Sequence, residues 1–217
     1  YQCYGDPDWR FVPPDDDDDA GAHALPELWT PSGLALLLET EALAARHADD
    51  RSDAQRLKAV RRRRLQQLRA LQARYEASWG GIGAVAEAFG LAFAESGDSD
   101  AAIDWYARAM RAGDGSASLK AAEQWANLLA RRGAGRADAV EGRREIHAAI
   151  HHLEQLIALQ PTIERENLLA SAWKRLALAS SGKAAEDALQ KMATHYGRAE
   201  ALALEQGAPN LFYPVMN

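Results

Sequence analysis

His147, His151 and His152 fall within the run HAAIHH. His147 and His151 stand one helical turn apart, the spacing at which two imidazoles can share a metal ion. The third ligand and the general-base glutamate of a zinc-protease arrangement are missing, so these read as surface histidines and no metal is expected. Cys3 is the only cysteine, and a lone thiol with a distant histidine is a candidate nucleophile. It has no neighbouring base, which fits a packed, inert thiol. One cysteine permits no disulfide within the chain, so a reducing, cytoplasmic setting is the simpler expectation. Asp15–Asp19 puts five carboxylates in a row without the alternation, central glycine and closing glutamate of a calcium loop. It reads as a solvated acidic linker. No glycine-rich phosphate loop, Ser/His/Asp set or paired acid site is present. Catalytic residues and cofactors are therefore expected to be none, and an enzyme built on the histidines or Cys3 is the competing reading.

Arg61, Arg62, Arg63 and Arg64 are the remaining chemical signal. Charge is divided sharply along the chain: residues 1–53 carry a net −10, residues 54–80 a net +7, and residues 81–217 a net −3. The arginine run could hold phosphate or an acidic partner. The whole chain is acidic, at −6, and no aromatic ladder interleaves the arginines. A solvated or internally paired helix is expected instead, and nucleic acid is the alternative partner. No apolar run approaches the length of a membrane span, so no membrane partner is expected.

The elements that must position these groups are helical. Alanine and leucine dominate the apolar residues, and glycine or proline breaks recur near 80–81, 97, 113, 133–135, 161 and 182. Residues 1–12 read as an extended segment and 13–30 as an acidic Pro/Asp linker. Residues 31–80 read as two longer helices packing on the helix pairs of 81–210; Leu57, Val60, Leu68, Leu71 and Tyr75 share one face of the second. Residues 81–210 read as three such pairs, and 211–217 as a tail. A stacked hairpin needs small residues where its helices cross, large ones beside them, and a turn between. Gly90 with Phe89 and Phe93, then Gly97-Asp98, then Ala102, Tyr106 and Ala109 supply all three.

These residues, in AVAEAFGLAFAESGDSDAAIDWYARAMRAGD, resemble a tetratricopeptide repeat (TPR). Ala86 stands where that family usually has tryptophan, and Asp114 where it has proline. A second unit runs through Trp125, Ala126 and Leu129 to Ala149, Leu153, Leu156 and Pro161, with an expected insertion of 11 residues between its helices. A third, looser unit keeps Leu178, Gly182, Tyr196 and Ala199. The resemblance implies an all-α fold: a right-handed superhelix of antiparallel helix pairs with a groove lined by the first helices. The expected groove residues are Glu87, Leu91 and Glu95, then Lys120, Glu123, Asn127 and Arg131, then Leu169, Ala172, Leu176 and Ser180. Only Asn127 falls where family members that grip a C-terminal carboxylate place their clamp, so that clamp is not expected. The groove implies a protein or peptide partner; alternatively residues 27–80 fill it.

The opening segment YQCYGDPDWRF resembles the end of a CHAT domain, the caspase-like fold found joined to TPR arrays. With no methionine at Tyr1, the chain reads as a piece of a longer protein. The resemblance implies a non-catalytic interaction or regulatory arm of a CHAT-type cysteine protease whose His–Cys dyad lies upstream.

Overall fold

The computed structural model describes residues 30–48 and 54–207. The extended segment, Cys3, nearly all of the acidic linker, the Leu57 side chain and the tail lie outside the described residues. The described residues form eight helices in order: α1 (Pro31–Ala48), α2 (Ala54–Trp79), α3 (Gly83–Glu95), α4 (Ser99–Arg111), α5 (Leu119–Ala134), α6 (Ala139–Leu159), α7 (Ile163–Leu178) and α8 (Lys183–Glu205). No strand occurs among the described residues. The fold is an all-α, TPR-like helical repeat.

Local chemistry sets the helix starts. Thr30 Oγ1 accepts from Gly33 N, with Pro31 at the first helical position of α1, where its missing N–H costs nothing. Asp98, Ser118, Asp138 and Thr162 accept backbone N–H groups at the starts of α4, α5, α6 and α7. Helix α3 lacks a cap of its own. Its Gly83 N–H instead donates to the Asp114 carboxylate, and its Ala84 N–H to Ser116 Oγ at 2.8 Å. Asp114, which replaces the family's proline, thus caps a helix 31 residues earlier. Gly97 (φ 87°) and Gly182 (φ 56°) make the turns before α4 and α8, in a backbone region that disfavours other residues.

The pairs α3/α4, α5/α6 and α7/α8 make the most extensive helix contacts, and each pair also packs on the next. One core cluster gathers around Phe89, Phe93, Trp105 and Tyr106. A second gathers around Leu153, Leu169 and Trp173. Trp125 is packed against both. Fully burying one such side chain contributes about 1.5–3 kcal/mol. In the first pair a Cβ on Gly90 would meet the Tyr106 ring at 2.7 Å, so only glycine admits this crossing. In the second pair Gly133 and Gly142 face each other: a Cβ on either would meet the other's carbonyl oxygen, at 2.6 and 2.4 Å.

Helix α1 buries Leu34, Leu38 and Ala42 against α3, while α1 and α2 touch each other little. Helix α2 adds Leu68, Leu71 and Tyr75 to the first core. Its Arg69 reaches Asp98 at 2.6 Å and lies over the Phe93 ring, and its Glu76 pairs with Arg108.

Two expectations are corrected. The second pair holds no 11-residue loop: only residues 135–138 separate α5 from α6, and the extra residues extend the helices. In the third pair Leu178 is 82% exposed and is not a core position.

Candidate functional site

The burial pattern fixes the repeat register. Val85, Ala86, Gly90, Ala92 and Phe93 are buried on α3, and Ala121, Ala122, Ala126, Leu128 and Leu129 at the same offsets on α5. Arg165, Glu166, Ala170, Ala172 and Trp173 continue the pattern on α7. This register groups equivalent positions of the first helices into three rows across the array: Glu87, Glu123 and Asn167; Leu91, Asn127 and Ser171; Glu95, Arg131 and Arg175. The third-unit groove residues Leu169, Ala172 and Leu176 are therefore corrected: all three are buried in the second core. That assignment equates Gly182 with Gly133. Gly133 sits inside α5 at a helix crossing, whereas Gly182 makes the turn at the start of α8.

Several of the expected groove residues already have internal partners. The Glu87 carboxylate accepts from Ser118 N at 2.7 Å and Ser118 Oγ at 2.5 Å, tying α3 to the start of α5. Leu91 is half-buried against the first core. Glu95 pairs with Arg46 of α1 at 2.5 Å. Glu123 accepts from Arg165 Nε at 2.7 Å, linking α5 to α7. Lys120 and Arg131 are exposed, and Asn127 and Ser180 are half-buried. Helices α1 and α2 pack on the first pair, and neither packs extensively on α5 or α7. The first-helix face is thus covered by α1 at α3 and is not covered by these helices beyond it.

Three buried charge arrangements are not legible in the sequence. Arg165, only 4% exposed, also donates to the carbonyls of Leu156 and Gln160, closing the α6–α7 turn. Glu166 meets His195 Nδ1 at 2.7 Å between α7 and α8. Glu145 accepts from Arg132 and Arg136. Burial would raise the Glu145 pKa, but the arginine hydrogen bonds prevail and hold it below the ordinary glutamate value. The only sequence signal for the first two is a pair of charges, Arg165 and Glu166, at offsets that are alanine in α5.

His147 and His151 are exposed. His152 is half-buried, with its ring edge to face with Trp125 at 5.2 Å, and its pKa is lowered by burial and by His151. Among the described residues no three His, Cys, Asp or Glu side chains group to hold a metal.

Of the arginine run, Arg62 and Arg63 are exposed. Arg64 lies near Glu41 of α1, whose carboxyl pKa burial pushes up and Arg64 pulls back. Lys58, Arg61, Arg62 and Arg69 line an open cleft of about 740 Å³ between α2 and the Ser96–Asp98 turn.

Capped helix pairs, small-residue crossings and one burial pattern repeated on α3, α5 and α7 define a helical-hairpin repeat protein. Residues 98–217 match the family described as Tetratricopeptide Repeats-Sensor, and the chain belongs to that family. No curated protein and no solved structure matches the chain. TPR arrays in general bind protein partners and are non-catalytic. No helix among the described residues is long and apolar enough to cross a membrane.

Proposed function

We propose that this chain is a protein-binding regulatory arm whose partner lies on the face formed by the first helices; of the expected groove residues, Lys120, Asn127 and Arg131 are open to it, while Glu87, Leu91, Glu95 and Glu123 are engaged within the fold and support that face. The observation that carries this is the asymmetry of that face. At α3 it is closed by α1 and the Arg46–Glu95 pair, while α5 offers Lys120, Asn127 and Arg131 beside α7, where neither α1 nor α2 packs extensively. A stack of hairpins buries its core between units and leaves one continuous surface for a ligand. The partner is a protein or peptide, and the chain itself performs no catalysis.

The arm belongs to a CHAT-type cysteine protease acting in the cytoplasm. Support comes from the YQCYGDPDWRF segment and the single cysteine. The test of the face is partner capture by the full chain with Asn127→Arg, set against Glu154→Arg on the exposed side of α6. Loss with the first and retention with the second is expected; equal capture by both refutes the face. The protease assignment is tested by peptide hydrolysis with the upstream segment attached and with a candidate upstream cysteine replaced by alanine. A second reading, an acidic or nucleic-acid partner on α2, rests on the cleft lined by Lys58, Arg61, Arg62 and Arg69.

A further inference from the structure

The third row of the first-helix face carries an electrostatic imbalance. Its members are Glu95, Arg131 and Arg175, and Arg46 extends it onto α1. Glu95 is engaged by Arg46 at 2.5 Å. Arg131 and Arg175 occupy equivalent positions on α5 and α7, helices that pack side by side. Two turns earlier the same seam pairs unlike charges, Glu123 with Arg165 at 2.7 Å, which fixes the alignment of the two helices. Toward its other end it places two arginines at matching positions of the neighbouring helices, and neither enters an ion pair among the described residues. The next arginine along, Arg132, turns away to Asp100 and Glu145.

Arg175 is half-buried and donates to Ser171 O in its own helix. Burial and then the nearby Arg131 charge lower its pKa. The dipole at a helix C-terminus favours a cation, which explains either arginine alone but not two placed side by side. One turn back, Ser171 Oγ and Tyr196 Oη lie 3.2 Å apart, and Asn127 shares the Ser171 row. Arg175 is thus next to the Ser171–Tyr196 hydroxyl pair, with Arg131 and Asn127 at the matching positions of α5.

We infer that Arg131 and Arg175 form an anion-binding subsite that takes a side-chain carboxylate from an acidic segment of the bound protein. A carboxylate between two guanidiniums turns a repulsive contact into charge-assisted hydrogen bonds, and arginine presents the planar fork that oxyanions fit. The inference rests on the protein-binding reading of this face and names the chemistry its partner must present. Of the positions that form the carboxylate-gripping clamp of other TPR proteins only Asn127 is kept here, and the subsite rests on Arg131 and Arg175 instead.

The test uses the full chain, a fluorescently labelled oligoglutamate peptide, an oligoglutamine of equal length, and inorganic phosphate as competitor. Oligoglutamate is expected to bind and oligoglutamine not to. The double variant Arg131→Gln/Arg175→Gln is expected to lose about tenfold or more in affinity for oligoglutamate. It should melt no lower than the parent, because a like-charge contact is gone. The control Arg62→Gln/Arg63→Gln, on α2, should bind the peptide as the parent does. Equal binding by the arginine double variant, loss of binding in the α2 control, or phosphate binding tighter than the peptide would each overturn the subsite. Peptide binding that survives in the double variant while partner capture still depends on Asn127 removes the subsite and leaves the face. Arginine-dependent peptide binding with Asn127-independent capture removes the face alone.

Discussion

Replacing glycine by alanine is predicted to act in opposite directions at two helical positions of this chain. Gly142 lies in α6, where its Cβ would sit 2.4 Å from Gly133 O, an atom of the α5 backbone that no side-chain rotation can move. Forcing a methyl group into a packed crossing costs about 1–3 kcal/mol. Alanine's better helix propensity returns at most about 1 kcal/mol. Set against that full return, the net loss is roughly 0–2 kcal/mol. For a chain of this size about 1 kcal/mol moves the melting point by roughly 2–4 °C, so a fall of up to about 8 °C is expected. Gly197, inside α8, has nothing within 4 Å of a built Cβ. There only the propensity gain of up to about 1 kcal/mol remains, and Gly197→Ala should raise the melting point by roughly 2–4 °C. Circular dichroism melts report both. Because repeat arrays unfold in parts, hydrogen exchange at the α5 and α6 amides localises the first effect. A melting point for Gly142→Ala above the parent's would refute the close-crossing argument.

Ala102→Leu and Ala109→Leu, at positions 0% and 1% exposed, should each lose about 1–3 kcal/mol in the first pair, read by urea titration. Glu145→Gln should destabilise at neutral pH. The folded Glu145 pKa is depressed, so its contribution is present above the ordinary value of 4.5 and is lost as pH falls through the folded value. The gap between variant and parent melting points should therefore close in acid, and a constant gap would contradict the assignment. Zinc is expected to leave the melting point unchanged; a rise abolished by His151→Ala would establish a metal site. Reversing Arg62 and Arg63 to glutamate should cost at most about 1 kcal/mol per pair disturbed. Duplex binding that falls steeply with salt and disappears in that variant would make α2 a nucleic-acid surface.

Legibility in the sequence tracks physical locality. Helix class, and the pairing of Gly90 with Tyr106, depend on periodicity and on small residues at fixed offsets, which survive in one dimension. The third pair is misplaced by pattern alone because a glycine can serve a helix crossing or a turn, and the letter does not say which. Gly133 does the first and Gly182 the second. Arg165 and Glu166 are invisible as buried residues because charge predicts exposure. Only the approach of Glu123 and His195 from other helices makes their burial tolerable. Placing Arg131 opposite Arg175 needs the register fixed by burial, since equating Gly182 with Gly133 puts Ser180 opposite Arg131.

The borrowed cap of α3 sets an order for events during translation. Gly83 has its backbone N–H satisfied by Asp114, which is made 31 residues later. At about 5–20 residues per second, the start of α3 waits roughly 2–6 s on the ribosome before its partner carboxylate is even synthesised. For that interval the helix that carries Phe89 and Phe93 has an uncapped end, and the part of its apolar face that α4 covers is only being completed. Nascent chains stalled before residue 114 should therefore be more open to proteolysis at 80–84 than chains stalled after 118. A chaperone that favours exposed aromatic helices would meet this protein in that window.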